Sequence, residues 1–145
     1  MTTRRSQPRS NADTDGGKLS MSLDTIRLSQ PAKDQLIKLK RVTGIKNWNV
    51  LCRWALAVSL QDETPPLVRD VVTDSNIEMS WRTFAGAYGD IYMALIRSRC
   101  LRDGSELTEE ACERALVTHL HRGIGYLAGR RDLTSVEDLI KTAVA

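Results

Sequence analysis

Arg27, Lys33, Lys38, Lys40, Arg41 and Lys46 crowd one short stretch of this sequence. A run of guanidinium and ammonium groups on one segment can neutralise successive phosphates of a nucleic acid and release the counterions condensed on them. The formal net charge of +3 conceals how local this charge is: residues 1–22 carry +2, residues 23–60 carry +5, and residues 61–145 carry −4. Opposite signs gathered in different segments make a directed field. Lys46 and Asn47 have no acid beside them, so a helix starting there would offer its free amides and positive dipole end to a phosphate. The same pattern also fits a solvated basic face on a structural helix pair.

Other chemistry finds less support. His119 and His121, two apart on a helix, point to different sides rather than to one metal ion. Cys112 and His119 share a helix face but make only two ligands, short of a zinc site, and core packing is preferred. Cys52, Cys100 and Cys112 are odd in number and widely spaced, as expected of reduced structural thiols. The glycines of HRGIGYLAGR (Gly123, Gly125, Gly129) complete no phosphate-binding fingerprint and read as flexible or close-packed backbone. No catalytic residue, metal or cofactor is assigned.

The elements that must position the basic residues follow from periodicity. From Asp24 to Ser29, Ile26 and Leu28 alternate with Thr25, Arg27 and Ser29, predicting a half-buried strand able to pair with its copy from another subunit. Pro31 suits the first turn of a helix starting near Ser29 or Gln30 and running to about Thr43, where Gly44 stops it. Ala32, Leu36, Leu39 and Val42 form its buried stripe; Lys33 and Lys40 lie on one flank, Lys38 and Arg41 on another. Asn47 is a fitting N-cap for a second helix, Trp48 to about Leu60. That helix is apolar nearly all round, as if covered on most faces, which help from another subunit would make easier. Residues 61–76, broken by Pro65 and Pro66, read as a connecting loop. Ile77, Met79 and Trp81 then predict a second short strand ending before Gly86. Three helices follow: one with Tyr88, Ile91, Tyr92, Leu95 and Ile96 at helical spacing; one from Thr108 burying Cys112, Ala115, Leu116, His119 and Leu120; and a short one opened by Ser135 and Asp138.

The predicted class is therefore mainly α, a ribbon-helix-helix-like β-α-α core with additional C-terminal helices and a second short strand. A chain of 145 residues, 41% hydrophobic and 27% charged, fits one soluble domain over residues 23–145. Residues 1–22 are too polar to offset ordering entropy and read as a disordered arm whose Arg4, Arg5 and Arg9 are solvated. Neither a membrane span nor a secretory signal is evident, so the cytoplasm is the expected address.

GIKNWNVLCRWALAVSL, from Gly44 to Leu60, resembles the DndE family, the small subunit of bacterial DNA sulfur modification (phosphorothioation) systems. IRLSQPAKDQLIKLKRVT, EMSWRTFAGAYGDIYMALI and HLHRGIGYLAG are similar to that family in order, so the resemblance runs from about Leu23 to the C-terminus. It implies a non-catalytic, DNA-binding homo-oligomer, with the tetramer favoured, that binds the backbone of double-stranded DNA, intact or nicked, and works beside sulfur-transfer and ATPase subunits. The implied DNA-facing surface falls on Lys33, Lys38, Lys40, Arg41 and Lys46. Two other readings stand beside it: a ribbon-helix-helix transcriptional regulator reading bases with Thr25, Arg27 and Ser29, and a DNA-nicking nuclease.

Overall fold

Ile26 is fully buried and Arg27 exposed, the in-and-out alternation expected of a strand with one wet face. The computed structural model describes residues 25–67 and 70–144; the arm expected over residues 1–22 lies outside them. Strand β1 (Thr25–Arg27) pairs antiparallel with β2 (Glu78–Ser80), setting Thr25 opposite Ser80, Ile26 opposite Met79 and Arg27 opposite Glu78. The second strand is thus present, but it completes the ribbon from within the chain instead of leaving β1 to a copy. Local bonds bring it there: the Leu28 amide donates to the Ile77 carbonyl at 3.3 Å, and the Leu28 carbonyl accepts the Ser75 amide at 3.1 Å and hydroxyl at 2.7 Å.

Ser29, expected on the wet face of the strand, is buried, because its hydroxyl turns inward to accept the Ala32 amide at 3.1 Å and cap helix α1 (Gln30–Thr43). Pro31 sits in the first turn, and Gly44 closes the helix at φ +77°, donating its amide to the Lys40 carbonyl at 2.9 Å. Ala32, Leu36, Leu39 and Thr43 face the core, while Val42 is only partly covered. Thr43 is tolerated inside because its hydroxyl donates to the Leu39 carbonyl at 2.7 Å.

Helix α2 (Trp48–Gln61) buries Leu51, Cys52, Ala55, Leu56 and Ser59. Asn47 stands at its N-cap without a side-chain cap bond; only its carbonyl accepts, from the Val50 and Leu51 amides at 3.2 and 3.3 Å. Within the chain its cover comes chiefly from α5 (Glu109–Ala128). The two helices approach so closely that a Cβ built on Gly123 would lie 1.8 Å from the Ala55 carbonyl oxygen. Gly123 is therefore the close-packed glycine anticipated in HRGIGYLAGR, whereas a Cβ at Gly125 would meet nothing within 4 Å.

Ser80 caps a short helix, α3 (Trp81–Ala85), by accepting the Thr83 amide at 3.0 Å, so Trp81 opens a helix instead of extending the strand. A 3-10 turn (Gly86–Tyr88) leads into α4 (Gly89–Arg102), whose buried face differs from the expected stripe. Of the expected stripe Ile96 is buried and Tyr92 partly so, and Met93, Arg99 and Cys100 join them inside, whereas Tyr88, Ile91 and Leu95 are 61%, 57% and 46% exposed. Apolar residues occur on both sides of this helix, so periodicity alone could not choose between them; packing against α5 did. Thr108 caps α5 by accepting the Ala111 amide at 3.0 Å, with Glu109 and Glu110 in the first turn. Asp138 takes the Thr134 and Ser135 amides at 2.8 and 3.1 Å, ordering the entry to α6 (Val136–Val144). All three cysteines are buried and free, and among the described residues no helix is long and apolar enough to cross a membrane.

Candidate nucleic-acid interface

Burying one stripe of α1 forces its basic residues outward or onto the flanks. Lys33 and Lys40 take the same flank: the Lys33 ammonium donates to Asn76 Oδ1 at 2.6 Å, and that of Lys40 lies 3.9 Å from the centroid of the Trp48 ring. Lys38 reaches the other way and donates to the Ala128 carbonyl at 2.8 Å, at the electronegative end of α5. Arg27 pairs with Glu78 at 3.1 Å across the ribbon. Arg41 and Lys46 are exposed and have no hydrogen-bond or ion-pair partner among the described residues.

The six basic residues singled out in the sequence thus divide. Lys40, Arg41 and Lys46 gather toward the junction of α1 and α2, Lys33 extends that flank toward the ribbon, Lys38 serves α5, and Arg27 is countered by an acid. At the junction, the first turn of α2 holds no acidic side chain and no side-chain cap, so its leading amides stay open to an anion. Lys40 stacked on Trp48 holds a further cation beside those amides, an arrangement that can accept phosphate oxygens without reading a base.

The opposite end of α2 carries a network that sequence reasoning missed. Arg99, only 5% exposed, donates Nε to Asp103 Oδ2 at 3.0 Å, one terminal nitrogen to the Leu60 carbonyl at 3.0 Å, and the other to the Asp62 and Thr64 carbonyls at 2.7 and 2.9 Å. Arg122 donates Nε to Ser59 Oγ and its terminal nitrogens to the Ser59 and Thr64 carbonyls, each at 2.8 Å. Two guanidinium groups therefore satisfy the orphan carbonyls where the helix dipole is negative. The signal was present in the sequence: Ser59 follows Cys52 and Leu56 on one face of α2, and Arg99 follows Ile96 on one face of α4.

Because Arg122 donates to Ser59 Oγ, the Ser59 proton is free to point to His119 Nδ1, 2.7 Å away. His119 is then the neutral tautomer with its proton on Nε2. Burial, with the Arg99 and Arg122 charges adding to it, pulls the His119 pKa from 6.5 down to about 4. The unfolded chain takes up this proton near pH 6.5 and the folded chain only near 4. The stability due to neutral His119 is thus complete above 6.5 and lost as pH falls toward 4. Urea titrations from pH 7 to 4 are expected to show a loss of about 3 kcal/mol, at roughly 1.4 kcal/mol per pKa unit. The loss should disappear in His119→Gln; an unchanged acid profile in that variant would remove His119 as its source. Tyr126 and Thr64 donate to the Asp62 carboxylate at 2.7 Å each, and these bonds hold its pKa well below the usual carboxylate range.

His121 is occupied elsewhere: Nε2 accepts the Ser29 amide at 3.1 Å and Nδ1 donates to the Val117 carbonyl at 2.7 Å. It also lines a cavity of about 590 Å³ with Pro31, Gln35, Pro66, Arg122 and Tyr126. Among the described residues, no group of three or more His, Cys, Asp or Glu side chains is placed to hold a metal ion.

Comparison with known proteins bears on this arrangement. The family model described as DNA sulphur modification protein DndE matches residues 25–135. A crystal structure of DndE from Escherichia coli B7A, involved in DNA phosphorothioation modification, is 25% identical with a TM-score of 0.62, covering 74% of this chain and 99% of that one. A glycine-to-lysine mutant of DndE involved in DNA phosphorothioation is 20% identical with a TM-score of 0.56, over 72% of this chain and 97% of that one, a likeness of fold. No curated protein matches the chain.

Proposed function

This chain belongs to the DndE family of DNA sulphur modification proteins, and on that premise we propose that it is the non-catalytic, DNA-binding subunit of the phosphorothioation complex. It grips duplex backbone, intact or nicked, through the junction of α1 and α2. The observation that carries this reading is a pair of exposed cations without a hydrogen-bond or ion-pair partner among the described residues, Arg41 in the last turn of α1 and Lys46 just ahead of the uncapped N-terminus of α2. Such a site supplies affinity by phosphate neutralisation and carries little direct sequence information. The ribbon supports the same conclusion from the other side. A base-reading ribbon needs outward polar side chains, yet Ser29 is buried in a cap and Arg27 is tied to Glu78. A transcriptional regulator reading an operator through this strand is accordingly disfavoured.

The exposed Tyr88, just before α4, and the exposed Ile91 and Leu95 on it support assembly into an oligomer, the tetramer being favoured, since neighbouring exposed apolar side chains are stabilised by cover. The sulfur-transfer and ATPase subunits would complete the complex in the cytoplasm.

Binding of intact and nicked duplex over a salt series tests the surface. Arg41→Glu with Lys46→Glu is expected to weaken binding at least tenfold and to make the salt slope shallower by about 2, one phosphate per cation. Wild-type affinity and slope in this variant would overturn the assignment. Light scattering on the same samples reads the assembly, and a monomer with and without DNA would remove that part of the proposal.

A further inference from the structure

Glu78 stands where a DNA-facing ribbon would be expected to carry positive charge. Alternation buries Ile26 and Met79 beneath the ribbon and leaves Thr25, Arg27, Glu78 and Ser80 as its register pairs on the other face. A ribbon built from two identical strands would repeat Arg27 on both. Here the second strand has its own sequence and places an acid directly opposite the arginine, with Arg27 Nη2 and Glu78 Oε2 3.1 Å apart. The pair therefore has no net charge, and a phosphate approaching the ribbon meets a carboxylate before it gains a cation.

We infer that Glu78 is a built-in counter-ion that withholds Arg27 from DNA, so that the ribbon engages phosphate only where the DNA backbone displaces the carboxylate. This rests on the DNA-binding reading above and adds a determinant to it. Both side chains are more than half exposed, at 60% and 54%, and an exposed pair of this kind contributes little to stability. Arg27 can consequently leave Glu78 without disturbing the fold, which is what a displaceable counter-ion requires. Buried pairs such as Arg99 with Asp103 lack that freedom. The consequence is a surface that binds DNA first through the helix junction and recruits the ribbon second.

The test is a double-mutant cycle in duplex binding: wild type, Glu78→Gln, Arg27→Ala and the double variant, each over a salt series. Glu78→Gln is expected to bind about threefold to tenfold more tightly, with a salt slope steeper by about one, the signature of one additional phosphate contact. In the Arg27→Ala background the same change should bring no gain, because there is no cation left to release. A Glu78→Gln protein that binds like wild type overturns the inference and leaves the helix-junction reading standing. An equal gain in both backgrounds also overturns it, since Glu78 would then act as a general repulsive charge. Absence of binding by all four proteins overturns the DNA-binding reading and the inference together. Matching thermal melts of Glu78→Gln and wild type establish that the comparison is between folded proteins.

Discussion

Gly123→Ala is expected to destabilise the protein by about 3–5 kcal/mol, the scale of a severe core disruption. The new methyl would meet the Ala55 carbonyl oxygen at 1.8 Å, with the Ala55 carbonyl carbon at 2.4 Å and its Cα at 2.9 Å. All three are backbone atoms of α2, so no rotamer change relieves the clash. The two helices must separate, and α5 is the main cover of α2. Leu51, Leu56, Leu120, Ile124 and Leu127 all belong to the fully buried core shared around them, and each loses dispersion contacts as a gap opens. The opposing effect is the better helix propensity of alanine, about 1 kcal/mol, too small to decide the outcome. Gly125→Ala isolates it: with nothing within 4 Å of its Cβ position, this variant should be neutral or gain up to about 1 kcal/mol. Guanidinium chloride unfolding of both variants measures the difference, and a Gly123→Ala protein as stable as wild type would contradict the observed helix contact.

Arg99→Met should cost a comparable amount, about 3–5 kcal/mol, through a different mechanism. The aliphatic part of the side chain is retained, so little packing is lost. What is removed is the partner of the Asp103 carboxylate, itself only 13% exposed, together with donors to the Leu60, Asp62 and Thr64 carbonyls. Arg122 still donates to the Asp62 and Thr64 carbonyls, but leaving the buried Asp103 carboxylate and the Leu60 carbonyl unmatched is far more costly than losing a surface pair. Arg102→Ala provides that contrast, because its pair with Glu63 is 54% and 78% exposed and should contribute below about 1 kcal/mol. A second readout separates electrostatics from general damage. Arg99 is one of the charges that lower the His119 pKa, so in Arg99→Met the acid destabilisation attributed to His119 should be smaller and level off at a higher pH. Equal stabilities for the two arginine variants would refute the assigned role of the Arg99 network.

Several elements were legible because their signals are local. Pro31 and Gly44 bracket α1, the alternation around Ile26 marks β1, and Thr108 and Asp138 mark two further helix starts, each through backbone chemistry confined to a few residues. The buried side of α4 was not legible in this way. Ile96 was legible, but Tyr88, Ile91 and Leu95 have helical spacing as good as that of Met93 and Cys100, and only the packing of the helix decides which set is covered. The basic segment could likewise be found by counting charges, but not how those charges are used. Lys38 and Ala128 are 90 residues apart, and Lys33 and Asn76 are 43 apart; neither pairing leaves a trace in local composition.

The sequence by itself determined where cations accumulate, the helical segments other than the short α3, and that a strand precedes the two basic-segment helices, since charge, capping and periodicity act over one or two turns. The tertiary structure alone decided that Glu78 pairs with Arg27, that α5 packs along α2, and that Arg41 and Lys46 have no partner among the described residues. These outcomes depend on which distant backbone surfaces meet. A contact of that kind is fixed by the packing of the whole core and by desolvation at each buried group, not by the identity of neighbouring residues in the chain.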